Sequence, residues 1–175
     1  QDFFFFFIDV IQAPAWPMLQ AAGEAAQRPA TSASMGDMLA NAGLAHASEL
    51  EAVVGAWRSL FRAYQVNLVL AEFAPGAALA ARGVMPLAMT GNGYCQPPSD
   101  MAEFPLLHSH APPRYVASEV EATVNQVLLK FGGKPIGRLP QLFEADASFV
   151  STLAILDPYR AVRKRRADGP LPPVL

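Results

Sequence analysis

Two short apolar runs separated by a helix-forming stretch constrain this chain most. Val66–Ala71 lies between a helix end and Pro75, and Met85–Thr90 stops at Gly91-Asn92-Gly93. Runs without apolar–polar alternation suit parallel strands, which are buried on both faces. Between them, Pro75 suits the first turn of a helix. Ala77–Ala81 continue that helix and Gly83 stops it. Strand, helix, strand in this order is a β-α-β unit with a crossover expected to be right-handed.

The flanking segments extend the pattern. Ser34 with Asp37 predicts a short helix over Met35–Asn41, ended by Gly43. Ser48 with Glu51 forms a capping box before a second helix. There Leu50, Val53, Val54, Trp57, Leu60, Phe61 and Tyr64 make one apolar stripe. The stripe accounts for Trp57 and Phe61 as core. Ser118 with Glu121 is a second capping box, opening a helix striped by Val120, Val124, Val127, Leu128 and Phe131. Gly132-Gly133 and Pro135 end it. A short helix at Pro140–Glu144 and a strand at Ser148–Leu153 follow. Upstream, Phe3–Gln12 reads as a buried strand and residues 14–34 as a loop. Alternating strands and helices predict an α/β fold, an open parallel sheet flanked by helices. Three or four strands are few for such a sheet, so the remainder is expected before Gln1 or in another chain.

Composition narrows the class. The 175 residues are 52% hydrophobic and 16% charged, which excludes a disordered chain. A single cysteine, Cys95, excludes an internal disulfide and a multi-cysteine zinc site. The longest apolar run, Phe3–Ile8, is far short of the about 20 residues that cross a membrane. No basic stretch precedes it, unlike a signal peptide. The net charge of −2 divides unevenly: residues 1–159 carry 8 basic and 14 acidic side chains, and residues 160–175 carry 5 and 1. An acidic body argues against nucleic-acid binding. Residues 160–175 read as a basic, proline-rich linker, expected to stay mobile, after a domain spanning 1–159. The opening on Gln1-Asp2, without Met, reads as a piece of something longer.

An ordered set of motifs then carries a resemblance. Asp9-Val-Ile-Gln-Ala-Pro-Ala-Trp-Pro17 is followed by Met38-Leu-Ala-Asn-Ala-Gly-Leu44 and Val54-Gly-Ala-Trp-Arg-Ser-Leu-Phe61. Next come Asn67-Leu-Val-Leu-Ala-Glu-Phe-Ala-Pro75, Ala80-Ala-Arg-Gly83 and Thr90-Gly-Asn-Gly-Tyr-Cys-Gln-Pro-Pro98. Val124-Asn-Gln-Val127 and Leu156-Asp-Pro-Tyr159 close the set. In this order they resemble the N-terminal half of bacterial nucleotide-sugar-dependent glycosyltransferases related to the UDP-glycosyltransferases and macrolide glycosyltransferases. The resemblance covers nearly the whole chain, although no single motif is specific. It implies a partial Rossmann-like domain that binds a small-molecule acceptor, with the nucleotide-sugar donor held by a second, missing domain. It also implies a cytoplasmic enzyme with no cofactor and no metal. Relatives begin with a glycine-rich loop bearing a catalytic histidine, and that loop would precede Phe3.

Glycosyl transfer to a hydroxyl needs a base, and histidine suits it. A carboxylate bonded to that histidine orients it and stabilises the imidazolium. In the resemblance this carboxylate follows the strand matching Val66–Ala71, which makes Glu72 the catalytic candidate, in place of the more common Asp. Open α/β sheets bind ligands beyond the carboxyl ends of their strands. An acidic residue before a helix is also favoured by the helix dipole alone. Thr90, Gly91, Asn92 and Gly93 are the substrate-binding candidates, because small residues let a ligand approach the backbone; they equally suit an ordinary loop.

Other residues read more blandly. His108 and His110 lack a third ligand at metal spacing. His46 follows a helix end as a capping or surface residue, and Cys95 is a small apolar one. The basic run Arg160, Arg163, Lys164, Arg165 and Arg166 suits a solvated segment. Two rival functions remain, a non-enzymatic α/β interaction module and a degenerate fragment without activity. Loss of covering elements around Phe3–Ile8 would leave an exposed sheet edge, and self-association through it is expected.

Overall fold

A computed structural model of the chain describes residues 9–15, 32–107 and 112–169. Four helices and three strands form among them: α1 (Met35–Leu39), α2 (Ala47–Ala63), β1 (Val69–Glu72), α3 (Pro75–Ala81), β2 (Leu87–Gly91), α4 (Ala117–Lys130) and β3 (Ala147–Val150). A π turn, Ala40–Leu44, extends α1, and 3-10 turns cover Leu139–Phe143 and Ala154–Leu156. The strands form one sheet in the order β1-β2-β3, parallel throughout. The expected strands at 66–71, 85–90 and 148–153 are therefore present and parallel, with shifted ends. The expected strand near 5–12 lies mostly outside the described residues. Its end, Asp9–Gln12, is exposed and irregular, because no neighbouring strand offers it a ladder among the described residues.

The glycine stops work as the sequence implies. Gly132 takes φ +67°, and the Gly133 N–H donates to the Leu128 carbonyl at 2.8 Å, closing α4. Gly83 (φ +70°) ends α3 where an added Cβ would lie 2.8 Å from the Lys134 nitrogen. The two capping boxes do not form. Helix α2 starts two residues early, after His46, and α4 likewise after Val116, and neither start has a side-chain cap. Carbonyls of His46 and Val116 accept the first helical bonds instead. Only Ser34 caps as expected, its Oγ accepting from the Asp37 N–H at 3.2 Å.

One core joins the helices to one face of the sheet. Leu50, Val54 and Phe61 of α2, Val120, Val124 and Leu128 of α4, and all of α3 from Ala77 to Ala81 pack with Val69, Ala71, Leu87 and Met89. Tyr64, the last residue of the α2 stripe, is half exposed instead. The reading of doubly buried strands fails on the other face. Register aligns Leu70 with Ala88 and Ala147, and Glu72 with Thr90 and Phe149. Leu70 is 66% exposed and Phe149 50%. Those outward positions are apolar, which is why β1 read as unbroken, yet nothing among the described residues covers them.

Candidate functional site

The carboxyl ends of β1 and β2 bring the expected residues together. Glu72 closes β1 and is the register partner of Thr90 on β2. Both side chains stand on the open face, Glu72 exposed and Thr90 half-buried. Glu72 enters no salt bridge among the described residues. Gly91 follows with φ +150° and its Cα buried against neighbours. A Cβ there would lie 3.5 Å from Cys95 Cβ, 3.8 Å from Gln96 Oε1 and 3.9 Å from Glu72 Cγ. Asn92 is exposed, and its Oδ1 accepts from the Cys95 N–H, three residues on, at 2.9 Å, folding the loop back on itself. Glu72 and the Thr90–Gly93 loop thus share one edge of the sheet, with Cys95 and Gln96 behind it. Burial raises the Cys95 thiol pKa, and the Glu72 charge adds to this against a bond from the Asn92 side chain. A thiol held protonated is a poor nucleophile.

Gly93 plays a different part. An added Cβ would come within 2.9 Å of Asp157 Oδ1 and 3.0 Å of Thr152 Cγ2. The Gly93 carbonyl accepts from Arg163 Nη2 at 3.3 Å. Arg163 also donates to Asp157 Oδ2 through Nε at 2.5 Å, to Asp157 Oδ1 at 3.2 Å and to the Gln96 carbonyl at 2.9 Å. Its side chain is 8% exposed and that of Asp157 3%. Burial alone would raise the Asp157 pKa; the bonds from Arg163 and the Tyr159 N–H outweigh it and hold the carboxyl below its usual range. Tyr159 is fully buried, and its phenol is pushed well above its ordinary pKa by burial, with Tyr94 adding to it.

Arg163 corrects the reading of the basic run as a solvated linker. Arg160, Lys164, Arg165 and Arg166 are exposed as expected, but Arg163 is the hub of the loop. Asp168 goes further: its N–H donates to the Val150 carbonyl at 2.9 Å, and its Oδ2 accepts from the Val150 N–H at 2.8 Å. Part of the open edge of β3 is thereby paired by a segment expected to be mobile. Sequence reasoning missed Arg163 because a cation within a cation run looks like solvated surface; its spacing of six from Asp157 was the available signal.

His46 stands at the start of α2, while His108 and His110 lie outside the described residues. Among the described residues no three His, Cys, Asp or Glu side chains gather as a metal site. No helix among them is long and apolar enough to cross a membrane. No protein-family model matches the chain, and no curated protein or solved structure matches it. The site is thus described by its own geometry alone.

Proposed function

We propose that this chain forms the acceptor-binding part of a glycosyltransferase that moves a sugar from a nucleotide-sugar donor to a small-molecule hydroxyl. The observation that carries the reading is the juxtaposition of a carboxylate without an ion-pair partner among the described residues, Glu72, with Thr90 and the Gly91 backbone at the carboxyl end of a parallel sheet. That is the place where such sheets take ligands. A carboxylate there can orient an imidazole and stabilise the imidazolium formed as it takes a proton. In the proposed step the acceptor hydroxyl gives its proton to that imidazole. Its oxygen bonds to the anomeric carbon, and the carbon–oxygen bond to the nucleotide diphosphate breaks. The imidazole and the donor-binding domain come from outside the described residues.

The test is a titration of the isotope-labelled chain with 4-methylumbelliferone, a phenolic acceptor, followed by NMR. Saturable shifts at Ala71–Phe73 and Thr90–Gly93, weakened in Glu72→Gln, are expected. Absence of shifts at those residues would overturn the reading. A second reading, an α/β interaction module, is favoured by the open apolar face with Leu70 and Phe149. Apolar patches of this kind mark partner surfaces.

A further inference from the structure

A cavity of 540 Å³ lies away from the strand ends, between α1, the start of α4, the loop leading into α4 and the Leu139–Phe143 turn. Neither Glu72 nor Thr90–Gly93 lines it. The volume falls within the range of small-molecule sites, about 300–1,000 Å³. We infer that this cavity binds a neutral ligand that joins an apolar ring to a hydroxyl-rich one, such as an aryl glycoside.

The walls are built rather than incidental. Tyr115 lines the cavity, with its hydroxyl bonded to Asn41 Oδ1 at 3.1 Å. The backbone that carries it is pinned by the fully buried Asp37. One oxygen of Asp37 accepts from the Arg114 and Tyr115 N–H groups at 3.0 and 3.2 Å, and the other from the Ala33 N–H at 2.9 Å. Phe104 stands edge-on to Phe143, with centroids 6.0 Å apart at 85°. Leu139 completes the apolar surface. Side chains fixed this way lose little entropy when a ring packs on them.

The polar groups select the ligand's charge. Asp37 lines the cavity too, but backbone N–H groups occupy both its oxygens; Arg138, Glu103 and Glu121 are the other charged lining residues, and none of these three is in a salt bridge among the described residues. The Arg138 Nε is buried without a hydrogen-bond partner among the described residues. An anion drawn to Arg138 meets two carboxylates, and a cation drawn to the carboxylates meets Arg138. A hydroxyl resolves the conflict, because it donates to a carboxylate and accepts from a guanidinium. Several hydroxyls on one ring engage both signs without adding charge, while the apolar ring packs against Phe104, Tyr115 and Leu139. The inference goes beyond the glycosyl-transfer reading and stands without it.

The experiment titrates the chain with phenyl β-glucopyranoside and follows side-chain and amide NMR signals. Saturable shifts at Tyr115, Phe104 and Leu139 are expected. Bonds to charged groups are strong enough that Arg138→Gln and Glu121→Gln should each weaken binding about tenfold or more. Both side chains are partly exposed, so the variants should keep the wild-type circular dichroism and melting temperature. Glu72→Gln should bind like wild type, which separates this site from the strand-end site. Benzoate and benzylammonium should bind at least about tenfold more weakly. No saturable shift with the glucoside would overturn the inference. So would equal affinity for either charged probe, or wild-type affinity in both cavity variants.

Discussion

Arg163→Met is the sharpest test of how the strand-end loop is held. The substitution keeps the length of the apolar stem and removes the guanidinium. It deletes the bonds to both Asp157 oxygens and to the carbonyls of Gly93 and Gln96. Asp157 is left as a buried charge whose one remaining donor among the described residues is the Tyr159 N–H at 3.0 Å. Breaking a buried pair from one side typically costs about 3–5 kcal/mol, because the remaining charge is uncompensated. Native stability is of order 5–15 kcal/mol, so the variant should be strongly destabilised but measurable. Urea unfolding at pH 7, read by tryptophan fluorescence, gives the difference. The double variant Asp157→Asn/Arg163→Met should recover part of the loss, since no lone charge remains.

The pH dependence separates this account from simple loss of packing. In the wild type the Asp157 pKa is depressed in the fold. Its contribution is therefore present above the unfolded pKa, about 3.9, and lost as pH falls through the folded value. In Arg163→Met burial dominates and the pKa rises above its unfolded value. The sign reverses: the variant should gain stability as pH drops from about 7 to 5, while the wild type should not gain from this group. A loss below about 1 kcal/mol, or a wild-type pH slope in the variant, would refute the reasoning.

Three further outcomes are expected. Gly83→Ala should cost at least about 2 kcal/mol by urea unfolding, combining the left-handed backbone with a 2.8 Å approach to the Lys134 nitrogen. Gly132→Ala, with φ +67° and open space around the new Cβ, should cost only the backbone term, about 1–2 kcal/mol; equal losses in the two variants would contradict the packing argument. Purified chain supplied with a nucleotide-sugar donor and 4-methylumbelliferone should form no glycoside by mass spectrometry, since the proposal assigns donor binding to a second domain that residues 1–175 do not supply; donor-dependent product would sink that part of the proposal. In sedimentation at rising concentration the chain should self-associate through the face bearing Leu70 and Phe149, and Leu70→Lys should weaken the association; a concentration-independent monomer would refute it.

Elements governed by local pattern were legible in the sequence. The α2 and α4 stripes, the Pro75 start of α3 and the glycine stops at Gly83 and Gly132 all appear near where periodicity places them. Helix starts were less legible. Ser48 and Ser118 could have capped, but the carbonyls of His46 and Val116 already accept helical bonds, so each helix gains two residues and leaves its serine inside. The faces of the sheet were illegible for a different reason. Leu70 and Phe149 are apolar whether or not anything covers them, and hydrophobic runs record composition rather than contact. Long-range polar ties were the least legible of all. Asp37 reaches Arg114 and Tyr115 across most of a domain, and no spacing rule connects them.

The candidate site shows what these long-range ties do. Gly91 and Gly93 entered as residues that let a ligand approach, but both are buried. The space a side chain would take at Gly93 is filled by Asp157 and Thr152, whereas at Gly91 a Cβ would only touch Cys95 and it is the backbone φ of +150° that calls for glycine. Glycine at both serves the protein's own fold, and Arg163 draws the same loop against Asp157. Glu72, Thr90 and Asn92 remain reachable, the first two on the open face of the sheet and the third on the exposed turn. Asn92 Oδ1 accepts from the Cys95 N–H with one of its two lone pairs, so its side chain still offers both an acceptor and donors. A ligand at this edge must come from the side of Leu70 and Phe149, meeting a carboxylate, a hydroxyl and a side-chain amide in turn. That approach crosses the same face that drives the expected self-association. Saturating acceptor should for this reason shift the chain toward monomer, as linkage requires of two events that compete for one surface.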